Sequence, residues 1–122
     1  MNDKPIIEIP SETPPKELVI DDITVGEGNE VTPGDLADVH YVGVAWSNGK
    51  EFDSSWGRGP LQFRPGTGQV IQGWDQGLIG MRVGGRRKLT IPAHLAYGDR
   101  GAAGVIAPGE TLVFVCDLVA VS

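Results

Sequence analysis

The sequence predicts an α+β fold, a curved antiparallel sheet wrapped around one short helix. Three observations carry this reading. Apolar and polar residues alternate over residues 36–46, 86–91 and 111–121, the period of half-buried strands. Asn48-Gly49 follows the first of these runs, the strongest short hairpin signal there is. One stretch, residues 70–78, reads instead as a helix. Trp74 and Leu78 stand four apart and Met81 three further on, so one apolar stripe faces inward.

The elements follow in chain order. Residues 1–16 hold Pro5, Pro10, Pro14 and Pro15 among acidic and small residues, which predicts an extended, flexible tail. Ile6, Ile7 and Ile9 are the exception, and whether they dock on the sheet is open at this point. Residues 17–122 then form one domain. Residues 18–25 suit an edge strand, ended by Gly26-Glu27-Gly28. Over residues 36–46, Ala37, Val39, Tyr41 and Gly43 point one way and Asp38, His40 and Val42 the other. The return strand carries Phe52 and Asp53, and the loop at 56–60 leads to a short strand at 61–64. The helix is expected at 72–80. Gly73 and Gly77 each cost such a helix about 1 kcal/mol relative to alanine. Packing must hold it, and something must need the close approach that glycine allows. Leu89 and Ile91 face inward from the strand at 86–91, and Leu112, Phe114, Cys116 and Leu118 from the last strand. The loop at 92–109, rich in Gly and Ala, is of a length that is usually functional.

Composition narrows the classes. A chain of 122 residues with 40% hydrophobic content suffices for one hydrophobic core. A net charge of −6 argues against general nucleic-acid binding, which wants a basic face. Arg86, Arg87 and Lys88 make the basic cluster, read here as a solvated strand face. Cys116 lies within an apolar strand and reads as a buried, inert thiol. His40 and His94 are too few and too poorly accompanied for a zinc site, so no metal and no cofactor are expected. No apolar stretch approaches the roughly eighteen residues of a membrane span. The opening residues show no secretory pattern, and a cytoplasmic monomer is the expectation.

The chain also lacks a Gly-x-Ser-x-Gly elbow, a phosphate loop and a dinucleotide-spaced glycine set. With no evident acid, base and nucleophile together, the pattern suits a reaction in which no covalent bond is made or broken.

Seven pieces, taken in order, sharpen this. They are Val39-His40-Tyr41-Val42-Gly43, Gly49-Lys50-Glu51-Phe52-Asp53-Ser54-Ser55, Leu61-Gln62-Phe63, the tryptophan segment at 70–78, Lys88-Leu89-Thr90-Ile91-Pro92, Ala96-Tyr97-Gly98 with Val105-Ile106, and Thr111-Leu112-Val113-Phe114. In order, type and spacing the chain resembles the FKBP-type peptidyl-prolyl cis/trans isomerases, in particular the small single-domain bacterial kind, over residues 17–121.

That resemblance implies a half-barrel of about five strands with a pocket between helix and sheet. Trp74 would form its floor. Tyr41, Phe52, Phe63, Val70, Ile71, Ile106 and Phe114 would wall it, with Tyr97 at the rim and Val105 beside Ile106. The backbone N–H of Ile71 would hold one ligand carbonyl and the Tyr97 hydroxyl a second. Asp53 would sit at the edge, accept a hydrogen bond, and interact with Tyr41 and Arg58. The chain departs from the family at Leu61, where an aromatic is common, and at Ala102, where the best-known eukaryotic members carry histidine; both changes imply a wider pocket. The loop at 101–104 is expected to be mobile.

The implied activity is rotation about Xaa-Pro bonds in peptides and unfolded chains, with rapamycin-type macrolides as inhibitors. Taken alone, Asp53 reads as a turn residue and Tyr97 as a core tyrosine. A non-catalytic proline-peptide or macrolide binding module is the alternative. A general chaperone ranks lower, because the chain lacks the inserted or dimerising segment that larger members carry.

Overall fold

The protein is described by a computed structural model covering residues 3–102 and 104–122. Ala103, part of the loop expected to be mobile, lies outside the described residues, as do Met1 and Asn2 of the tail.

The strands are β1 (Val19–Thr24), β2 (Ala37–Ala45), β3 (Glu51–Ser54), β4 (Leu61–Phe63), β5 (Arg86–Ile91) and β6 (Leu112–Val121), with helix α1 (Gln72–Gly77) between β4 and β5. All pairings are antiparallel, in the order β1-β5-β6-β2-β3, and β4 pairs with β2. The expected α+β class holds, as do five strands along the sheet; β4 is the sixth. β2 is bonded to β6 along its whole length. Its other edge is shared, with Val42, Gly43 and Val44 facing β3 and Ala37, Asp38 and Val39 facing β4. In the gap, Ser55 takes over the pairing. Its N–H donates to the Tyr41 carbonyl at 2.9 Å, and its Oγ accepts the Tyr41 N–H at 2.7 Å.

The glycines of α1 meet the demand that the sequence raised. A Cβ on Gly73 would lie 2.5 Å from Cγ2 of Ile91, and one on Gly77 would lie 2.7 Å from Cδ2 of Leu89. The helix thus lies directly on β5 and drives Trp74 and Leu78 into the core, both nearly fully buried. It is six residues long, shorter than expected, and Arg87 shows why it can stop. The Arg87 guanidinium donates from Nη1 to the Gly77 carbonyl at 2.8 Å and to the Ile79 carbonyl at 3.0 Å. These are orphan acceptors at a helix end, and a cation there also interacts favourably with the negative end of the helix dipole.

Two readings of the sequence therefore need correction. The basic cluster is not a solvated face: Arg87 is buried and also donates from Nε to Asp22 at 2.7 Å. Arg86 grips Asp117 with two hydrogen bonds of 2.7 and 2.8 Å, a bidentate, largely buried pair. Their partners come from β1 and β6, and only the topology brings these alongside. The second concerns β2, read as a half-buried strand, whose outer face is buried as well at Val42 and Val44. Together with Val113 they form a second apolar cluster, covered by Ile7, Ile9, Trp46 and Trp56. Ile7 and Ile9 of the tail do dock, without joining the sheet as a strand, while Ile6 stays exposed. Cys116 is fully buried as expected, and burial pushes its thiol well above the ordinary range.

Candidate active site

The concave face of the sheet and α1 enclose a cavity of about 480 Å³ lined by Tyr41, Phe52, Asp53, Leu61, Gly68, Gln69, Val70, Ile71, Trp74, Tyr97 and Phe114. Its aromatic base is held edge to face. The Trp74 indole meets Tyr41 with centroids 5.0 Å apart at 81° and Phe114 at 5.2 Å and 84°, while Phe52 meets Phe114 at 5.5 Å and 87°. These are favoured geometries for ring quadrupoles, so the base is rigid without a covalent tie. Gly43 makes room for it. A Cβ there would lie 2.6 Å from Cε1 of Phe114 and 2.7 Å from Cζ of Phe52, so neither ring could rest over β2.

Polar groups are confined to the edge. The Tyr41 hydroxyl donates to Asp53 Oδ2 at 2.6 Å. Asp53 Oδ1 accepts from Arg58 Nη2 at 2.7 Å and from the Ser54 N–H at 2.9 Å. Both carboxylate oxygens are thereby engaged. Burial, and then the Asp53 hydrogen bond, push the Tyr41 phenol up to about 12, and the Asp53 charge raises Arg58 further. Tyr41 and Arg58 therefore keep their protons across the physiological range. Two of the expected donors are left over. Ile71 stands just before α1 in extended backbone (φ −59°, ψ 150°), and no group among the described residues accepts its N–H. The Tyr97 hydroxyl, on a half-exposed ring, is likewise unpaired among them. Trp74 Nε1 is buried with no partner, so the floor offers no solvated polar atom.

The family model for FKBP-type peptidyl-prolyl cis-trans isomerases matches residues 27–119. The chain belongs to this family. An FK506-binding protein of Streptomyces anulatus is 64% identical over 121 residues, covering 98% of each chain. A probable FK506-binding protein of Corynebacterium glutamicum is 52% identical over 117 residues, covering 96% of this chain and 98% of its own. Among solved structures, the crystal structure of AtFKBP13 superposes with a TM-score of 0.79 at 44% identity, over 86% of this chain and 93% of that one. A peptidyl-prolyl cis-trans isomerase from Pseudomonas syringae pv. tomato gives 0.77 at 37% identity, over 86% and 75%.

The isomerase fold brings most of the expected residues together. Tyr41, Phe52, Asp53, Leu61, Val70, Ile71, Trp74, Tyr97 and Phe114 all line the cavity, with Arg58 at its edge on Asp53. Three residues stand elsewhere. Phe63 is buried behind the floor, 5.5 Å from Trp74, and Ile106 is buried in the same core cluster. Val105 is 58% exposed and faces a separate hollow with Arg100, Gly104, Ala107 and Pro108, which Ile106 also borders. The loop at 92–109 makes a tight turn there, in which the Ile106 and Val105 N–H groups both donate to the Ala102 carbonyl. Of two adjacent apolar residues in such a turn, only one can face the core.

Sequence reasoning missed Asp75. From the first turn of α1 its carboxylate accepts the N–H groups of Gly66 at 2.8 Å and Gly68 at 2.9 Å. It ties the segment that bears Gln69, Val70 and Ile71 to the helix that bears Trp74. An acidic residue in the expected helix, seven positions after a Gly-Thr-Gly turn, was the available signal.

Proposed function

We propose that this cavity seats a prolyl ring on Trp74 and catalyses rotation about the preceding Xaa–Pro bond in peptides and unfolded chains. We propose further that rapamycin-type macrolides compete for the same seat. The observation that carries the reading is an aromatic cup whose unpaired donors stand at its margin and whose carboxylate is fully engaged. Rotation must break amide resonance, a barrier of about 18–20 kcal/mol. The planar amide is the more polar state and is favoured by water at its oxygen. The cup removes that water, and the twisted amide, with less charge separation, loses less. Each 1.4 kcal/mol of this difference is worth about tenfold in rate, and only contacts better made in the twisted state count.

The residues divide the task. Trp74, Phe114 and Tyr41 fix the ring. The Ile71 N–H takes the carbonyl on the far side of proline, and the Tyr97 hydroxyl takes a second one. Asp53 keeps the Tyr41 ring upright and moves no proton, because its oxygens already serve Tyr41, Arg58 and Ser54. The names of the relatives support the macrolide part, since two of them are called FK506-binding proteins.

The test is cis/trans exchange on an Xaa-Leu-Pro-Phe peptide, with and without rapamycin, for the wild type, Phe114→Ala and His94→Ala. Turnover that rapamycin abolishes and Phe114→Ala cuts by more than about tenfold, while exposed His94→Ala leaves it unchanged, supports the assignment. Equal losses in the two variants would move the site elsewhere. Tight macrolide binding with no turnover would leave a binding module.

A further inference from the structure

The strip of sheet that backs the cup has a second apolar side. Val42, Val44 and Val113 point outward between Trp46 and Trp56, and Ile7 and Ile9 of the segment 3–15 lie over them. That segment alternates like a strand: Pro5, Ile7 and Ile9 are half-buried, while Ile6 is 90% exposed. Yet among the described residues no backbone–backbone hydrogen bond joins it to the sheet. Side chains hold it instead. Arg86 Nη2 donates to the Asp3 carbonyl at 2.7 Å, Trp46 Nε1 donates to the Glu12 carbonyl at 3.2 Å, and Lys4 pairs with Glu51 at 3.0 Å. The fit is loose. A cavity of about 250 Å³ remains beside Pro5 and Ile7, and one of about 300 Å³ lies beside Pro10, Pro15 and Trp46.

These are the marks of a groove that reads an extended, proline-rich ligand. Proline pre-sets the extended chain, indoles wall the groove and donate to backbone carbonyls, and sockets take side chains two apart. Few contacts and no ladder also place the segment at the easily opened end of the molecule's stability range. We propose that the outer face of β2 and β6 is a second peptide-binding surface. The chain's own residues 3–15 fill it in cis, and it takes in trans an extended segment of the same chemistry: two branched apolar residues two apart, the second followed directly by proline. This surface lies on the opposite side of the sheet from the cup and performs no catalysis.

The test uses the full chain carrying Ile7→Asp and Ile9→Asp, which releases the sockets, with rapamycin present to close the cup. The probe is an acetylated peptide of residues 3–15. Nuclear magnetic resonance follows Val42, Val44, Val113 and the Trp46 indole against Trp74, Tyr97 and Phe114. The expected result is saturable shifts in the first group. The wild type, whose own segment competes at high effective concentration, should bind at least about tenfold more weakly. A peptide with Ile7 and Ile9 changed to serine should lose a similar factor. Shifts confined to the second group, or none up to millimolar peptide, would overturn the proposal. Should the double variant fail to fold, the wild type serves with labelled isoleucine methyls. Excess peptide must then shift those of Ile7 and Ile9 toward released positions, and unchanged methyls would equally overturn it. Failure of rapamycin to bind would count against the cup assignment alone, because the two faces are read residue by residue.

Discussion

Gly73→Ala sets two effects of opposite sign against each other. Alanine improves the intrinsic stability of a helix interior by about 1 kcal/mol over glycine. Against this, the new methyl would lie 2.5, 2.7 and 2.8 Å from Cγ2, Cδ1 and Cγ1 of Ile91. Two of these atoms are fixed to the Ile91 Cβ, so only a χ1 rotation or a backbone shift relieves the overlap. Ile91 is completely buried and has no room to turn. Overpacking of this kind costs about 1–3 kcal/mol, and a stiff neighbour places it near the top. The net expectation is a loss of about 1–2 kcal/mol. With about 2.1 cal/mol/K of unfolding entropy per residue over 122 residues, that lowers Tm by about 4–8 °C. Turnover should fall as well, because α1 carries Trp74. Ile91→Ala supplies the decisive control. That change alone costs about 2–5 kcal/mol by leaving a cavity. In its background Gly73→Ala should stabilise, because the methyl now enters vacated space and the helix gains its propensity. Thermal unfolding of the four proteins gives the coupling directly. The same sign of effect in both backgrounds would refute the claim that close approach to β5 is what requires glycine.

Other outcomes follow from the same geometry. Tyr97→Phe removes a hydroxyl that has no partner among the described residues, so Tm should hold while macrolide affinity, read by calorimetry, falls by about 0.5–1.5 kcal/mol; an unchanged affinity would remove Tyr97 from the site. Tyr41 is held neutral to about 12 when folded, against 10.0 for an ordinary tyrosine. Its contribution to stability is therefore complete below about pH 10 and is lost as pH rises toward 12. Tyrosinate absorbance should show a late step that Tyr41→Phe abolishes. Asp75→Asn deprives one of the Gly66 and Gly68 amides of its acceptor. Hydrogen exchange at that amide should quicken, and ligand affinity should drop by about 1 kcal/mol through the displaced Ile71 N–H.

Legibility tracked locality. β5 begins and ends where its alternation does, and the hairpin after β2 stands where Asn48-Gly49 placed it. The turn is longer than two residues: Gly49 N–H donates to the Ala45 carbonyl at 2.8 Å. The close packing at Gly73 was legible because the glycines contradict helix propensity and so demand a reason. Arg87 was not, because nothing near it in sequence announces that Asp22 and the end of α1 will converge on it. The same holds for Val42 and Val44, whose cover includes Ile7 and Ile9 from more than thirty positions away. Within the site, residue type found the cup, whereas Val105 and Ile106 show the limit. Two adjacent apolar residues in a loop carry no signal for which one turns inward.

The edge of β2 that passes from β3 to β4 is interrupted for only two residues, and Ser55 bridges the break from both sides. The six residues of the detour, Ser55 to Pro60, therefore leave and rejoin the sheet at points already secured. Arg58, which reaches Asp53 from this detour, hangs on a handle rather than on the scaffold. Kept anchored by Ser55 and Leu61, the handle is a natural graft point, where selectivity at the mouth of the cup can be rewritten while the ladder beneath keeps its register.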